Sequence, residues 1–116
     1  MGACTFSTRA FGKTAKEAFD KAVEDAKYMN GHGGYTGTIA EKSSFTLIPD
    51  EEHKHKDKQK FAWGLIDDAD ERVESKWGPA GAIDLSGTKA AKRYREHHGL
   101  VGNHGSVFLF FGWASE

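Results

Sequence analysis

The sequence predicts an α+β domain: a mainly antiparallel sheet with two to three helices packed on it. Three observations carry that expectation. The chain opens on an alternating segment, "ACTFSTRAF" at 3–11. It closes on the apolar run "SVFLFFGWA" at 106–114, and an amphipathic helix pattern follows Thr14. No internal repeat and no long linker divides the 116 residues, so one domain over 1–116 is expected. A ferredoxin-like split βαβ arrangement, with the helices on one face, is among the layouts this order allows.

Each element has its own signal. In the first strand Cys4, Phe6, Thr8 and Ala10 alternate with Thr5, Ser7, Arg9 and Phe11. Thr14 and Glu17 then form a capping box, in which the hydroxyl caps free backbone amides. Ala15, Ala18, Phe19, Ala22, Val23 and Ala26 make one apolar stripe, with Lys16, Asp20, Lys21, Glu24, Asp25 and Lys27 opposite. Such small residues predict close packing of the helix on a sheet.

The stretch "NGHGGYTGT" at 30–38 has the glycine content of a phosphate loop but the wrong position. A phosphate loop precedes a helix, where free N–H groups and the positive dipole end are presented. These glycines follow one, and position 36 of a G-x-G-x-x-G is Thr36. The stretch reads as a helix C-cap and a connection. A strand is expected over 35–40, where Gly37 marks a close backbone approach, and another over "FTLI" at 45–48, stopped by Pro49.

Residues 50–60, "DEEHKHKDKQK", contain no apolar residue and read as a mobile polar loop. "FAWGLI" at 61–66 fits a strand or a helix lead-in. "DDADERVESKW" at 67–77 reads as a short helix with Ile66, Ala69, Val73 and Trp77 inward, ended by Gly78-Pro79. A strand at 80–85, a helix capped by Thr88 and running through Tyr94, and a glycine-punctuated turn follow. The closing strand is apolar on both faces, which suits a central strand covered on both sides or covered by a partner on one.

At 12.8 kDa about two-thirds of the unfolded surface is buried on folding, enough for one core without staples. Cys4 is the single cysteine, which excludes an intramolecular disulfide and a cysteine-based zinc finger. The start of the chain lacks the apolar core of a signal peptide, and "VFLFF" is far too short for a membrane span. A cytoplasmic protein with no membrane association is expected. The net charge of −1 excludes generic nucleic-acid binding as the default. It conceals an asymmetry: five acids and two bases at 67–77, against four bases and one acid at 86–98.

Candidate chemistry is sparse. His97, His98 and His104, with Asp84 or Glu96, would supply a metal-dependent hydrolase or nuclease if they converged. His53 and His55 lie in a stretch too polar to promise a rigid site. No nucleophile elbow is present, and the carboxylates of 67–77 read as a solvated helix face. No catalytic residue, metal site or cofactor is assigned.

The basic set Lys89, Lys92, Arg93, Tyr94 and Arg95 is the strongest ligand-binding candidate, able to grip phosphates and stack a base. Surplus aromatics on the strands, Phe61, Trp63, Phe108, Phe110 and Trp113, predict self-association or a protein partner. The expected function is a small non-enzymatic domain that binds a protein, a second copy or a small anionic ligand. The alternatives are the histidine-based hydrolase and an RNA- or nucleotide-binding module.

Overall fold

The computed structural model describes residues 2–30, 34 and 36–116. Among these, strands β1 (Ala3–Gly12), β2 (Phe45–Leu47), β3 (Ala80–Asp84) and β4 (Ser106–Ser115) form one sheet in the order β1-β4-β3-β2. β4 runs antiparallel to both β1 and β3, and β2 runs parallel to β3. The helices are α1 (Ala15–Asn30), α2 (Asp50–His53), α3 (Lys58–Asp67) and α4 (Lys89–His97). The class is α+β, as the sequence predicts.

β4 divides the core in two. Phe108, Phe110 and Ala114 face α1, where they meet Phe6, Ala10, Ala18, Phe19 and Ala22. Val107, Leu109 and Phe111 face the other way, onto Ala62 and Ile66 of α3 and Ala91 of α4. Period-2 alternation along one strand thus feeds two cores. On the α1 side, Phe19, Phe45 and Phe110 pack with ring centroids 5.2 to 5.8 Å apart. Ala80 and Ala82 of β3 leave room for those rings.

Helices therefore cover both faces, and the one-sided, ferredoxin-like expectation is corrected. The second face is too apolar to be left to water, and α3 and α4 fill it. The same burial accounts for the aromatic surplus. Phe108, Phe110 and Phe111 are buried within one chain, while Phe61 and Trp113 pack against the second core. Trp63 stays exposed at 36%. The aromatic argument for self-association is thereby weakened, with Trp63 the one of the five left exposed.

Three local expectations also change. Tyr35 and residues 31–33, part of the glycine-rich stretch, lie outside the described residues. In place of a strand, residues 36–41 form a bend and a 3-10 turn at Ile39–Glu41. Local polar bonds compete with the sheet ladder here. Thr38 Oγ1 accepts from Ala40 N at 3.2 Å, and the Glu41 carboxylate accepts from Thr36 N and Oγ1 at 3.1 and 2.8 Å. Gly37 does make a close approach, with φ +70° and its amide 2.8 Å from Ser115 O. The polar stretch 50–60 is partly helical, holding α2 and the start of α3. The third change is that the expected 67–77 helix is absent: 68–77 are turns and irregular chain, and the helix here is α3, which takes up the 61–66 segment. Asp57 caps it by accepting from Lys60 N at 3.0 Å, and it stops before Ala69, which takes φ +52°. Ile66 and Val73 are buried as expected, but Trp77 is exposed.

The crossing of β3 and β4 depends on Gly81. A Cβ there would lie 2.5 Å from the Phe111 ring and 2.7 Å from Val73, closer than real contacts allow. Gly81→Ala is expected to destabilise the fold by about 2–3 kcal/mol. Gly64→Ala, in the α3 interior with open space around it, is expected to stabilise by up to about 1 kcal/mol. Urea unfolding of the two variants checks both signs.

Candidate functional crevice at the ends of β2 and β3

Because β2 and β3 are parallel, their C-terminal ends lie side by side. In open α/β sheets this is where ligands bind. Two cavities occupy this end. The larger, about 380 Å³, is lined by Ser86, Gly87, Thr88, Lys89, Lys92 and Arg95 over an apolar floor of Ala91 and Val107. The smaller, about 210 Å³, is lined by Asp50, His53, Lys54, His55, Lys58, Asp84 and Ser86. Ser86 belongs to both.

The β3–α4 turn is built by short-range bonds. Ser86 donates to Asp84 Oδ1 from its amide at 2.8 Å and from its hydroxyl at 2.6 Å, and its hydroxyl also lies 3.0 Å from Ser106 Oγ. Gly87 takes φ +80°, a conformation that costs glycine little. Thr88 then caps α4, its Oγ1 accepting from Ala91 N at 3.1 Å. Lys89 N and Ala90 N remain as the orphan donors of the first helical turn.

The predicted basic set is divided by the helix. Lys89 and Lys92 are exposed and border the larger cavity, and no ion pair among the described residues involves them. Arg93 is exposed but outside the cavity lining. Arg95 borders the cavity yet is committed to structure. It donates to Asn103 O at 2.9 Å and to Gly105 O, and its guanidinium lies 5.0 Å from the Phe11 ring centroid. Tyr94 is half-buried against the second core, with its ring 4.1 Å from that of His98. Burial pushes its hydroxyl pKa up. It is therefore not the open stacking platform expected from sequence.

The histidines expected at an enzyme site do not gather. His97 and His98 touch each other with centroids 5.0 Å apart, but His97, His98 and His104 are all exposed and border none of the described cavities. Among the described residues, no group of three or more His, Cys, Asp or Glu is placed to hold a metal ion. Asp84 instead shares a cavity with His53 and His55. Sequence reasoning passed over His53 because its neighbours are polar. The available signal was its spacing, three residues after Asp50, which itself directly follows Pro49.

Two clamps brace the parallel pair, Arg72 at this end and Lys42 at the opposite one, where β2 and β3 begin. Arg72 joins α2 to the 67–77 segment, donating to both Glu52 oxygens at 2.8 and 2.9 Å and to both Asp70 oxygens at 2.9 and 3.0 Å. Its hydrogen bonds hold the Glu52 and Asp70 carboxyls below their usual range. The acidic segment is thus tied to its own arginine, and among the described residues no ion pair joins it to the basic segment. Lys42, 4% exposed, donates to the carbonyls of Ser75, Lys76 and Gly78 at 3.2, 3.3 and 3.0 Å. Burial lowers its pKa to about 8. Its depressed pKa would suit a nucleophilic lysine, but its three donors are already matched to three carbonyls.

Both clamps leave pH signatures. Glu52 and Asp70 have depressed folded pKa values, so their stabilisation is fully present above the ordinary carboxylate range and is lost as pH falls from there through the lower folded values. Arg72→Leu is expected to lose stability at neutral pH and to flatten the decline below about pH 4, read as urea midpoint against pH. For Lys42 the sign is the same, stability rising with pH, but the window is alkaline and the cause is desolvation of the charged amine. Its folded pKa lies below the unfolded 10.5, so the cost of burying its charge is fully felt below pH 8 and relieved as pH rises to 10.5. Stability is expected to rise across that window in the wild type and the rise to be lost in Lys42→Met, read as urea midpoint against pH.

Among the described residues, no helix is long and apolar enough to cross a membrane. Comparison of the chain with protein-family models, curated proteins and solved structures finds no match, which leaves the crevice as the guide to function.

Proposed function

We propose that this chain is a small cytoplasmic binding domain for an anionic ligand, held at the β3–α4 turn. The carrying observation is the 380 Å³ cavity at the N-terminus of α4, bordered by Lys89 and Lys92. Orphan amides and the positive end of the helix dipole favour a phosphate or carboxylate there. Gly87 has open space around it, so a ligand oxygen can approach the backbone closely. Cys4, unpaired and half-buried, fits a reducing compartment.

This reading is favoured over an RNA or nucleotide module because the aromatic and one arginine of the basic set serve the fold. It is favoured over a protein interface because the aromatic residues expected to supply one are largely spent on the two cores.

Titration with inorganic phosphate, followed by backbone amide NMR, tests the proposal. Shifts centred on Gly87–Ala90 that weaken with added salt are expected. Lys89→Glu with Lys92→Glu should weaken binding by roughly tenfold or more. Phosphate that leaves those four amides unmoved would refute the site.

A further inference from the structure

His53 is a buried polar group without a partner. It is 2% exposed, and neither ring nitrogen is hydrogen-bonded. Its Nε2 lies 3.7 Å from Asp50 Oδ1, beyond hydrogen-bonding range. Buried polar atoms are normally satisfied, and this fold satisfies the buried amine of Lys42 with three carbonyls. Among the described residues, the nitrogens of His53 are the buried side-chain atoms left over.

What surrounds His53 defines the missing partner. Of the described cavities it borders the 210 Å³ one, together with Asp50, Lys54, His55, Lys58, Asp84 and Ser86. Carboxylates accept, while an imidazole donates from one nitrogen and accepts at the other when neutral. A ligand hydroxyl, which both donates and accepts, matches that mixture. A second phosphate is not selected there, because the charges of Asp50 and Asp84 offset those of Lys54 and Lys58. Nor is a metal ion, since no three ligating groups come together there.

We infer that the His53 cavity is a hydroxyl-recognising subsite for the same ligand whose anionic end sits at α4, so that the ligand is a phosphorylated sugar or polyol. The inference rests on the anion reading above. Ser86, common to both cavities, joins the two subsites.

Ribose 5-phosphate and inorganic phosphate are the probes, titrated into wild-type protein with backbone amide and imidazole nitrogen NMR. Both should move Gly87–Ala90, and only the sugar phosphate should move the His53 ring signals. It should bind about tenfold more tightly than phosphate, the worth of one or two net hydrogen bonds. His53→Phe should abolish that difference and leave phosphate affinity unchanged, whereas His53→Gln, which keeps a donor and an acceptor, should retain part of it. If either variant fails to fold, the wild-type ring signals decide. Equal affinities with unmoved His53 signals would overturn the subsite and leave the anion site standing. If neither compound moves either set of signals, the anion site fails and the inference falls with it.

Discussion

β4 is the strand on which the rest of the structure depends. It is paired on both edges, by β1 and β3, and apolar on both faces. A strand with that surface is stable only between two layers, because each exposed Phe or Leu side chain would forfeit about 1.5–3 kcal/mol of burial. The α1 layer meets this need on one side with alanines that bring the helix backbone close. On the other side the cover is assembled from shorter pieces: α3, α4, Val73 and the end of β3. Gly81 is the concession that lets Phe111 lie across its neighbouring strand.

That two-sided demand also explains where the crevice lies. Since β1 and the short β2 occupy opposite edges, the chain between them must cross the sheet on the α1 side. It then returns through α3 on the other, making β2 and β3 parallel. Parallel neighbours finish at the same end, so the segments leaving them, α2 and the β3–α4 turn, diverge from adjacent points. The gap between diverging segments is the crevice. Arg72 fixes one wall by tying α2 to the 67–77 segment, and the Ser86–Ser106 hydroxyl contact fixes the other to the start of β4.

Strong periodic elements were legible in the sequence, and weak ones were not. β1, α1, β4 and the Thr88-capped α4 stand where their alternation, stripe or cap puts them, because local pattern and burial agree. Over 58–67 the polar start "KQK" hides a helix whose buried residues, Ala62 and Ile66, are only two. Asp57 was its cap, but acids also crowd 67–71, and those acids attract the eye to the wrong start. Residues 36–41 mislead in the same way. Their alternation suits a strand, yet hydroxyls and a carboxylate within six residues satisfy the backbone locally. The two-layered arrangement was visible in β4 alone, as one of the two covers its apolar faces allow.

The candidate site shows the same limit for chemistry. Sequence marks residue types, and the fold decides which are already in use. Lys89, Lys92, Arg93, Tyr94 and Arg95 look equivalent along seven residues, but the helix turns Tyr94 into the core and Arg95 onto the 103–105 turn. Only the lysines keep their charges toward open space at the cavity. His53 is the converse. It sits among ten polar neighbours in sequence and was read as solvated, yet the short α2 folds it beneath the end of β3 while the residues on either side remain outside. Burial of a single polar side chain within an exposed polar stretch is invisible to any pattern of period 2 or 3.6. It becomes meaningful once the backbone around it shows that hydrogen bonding elsewhere is complete.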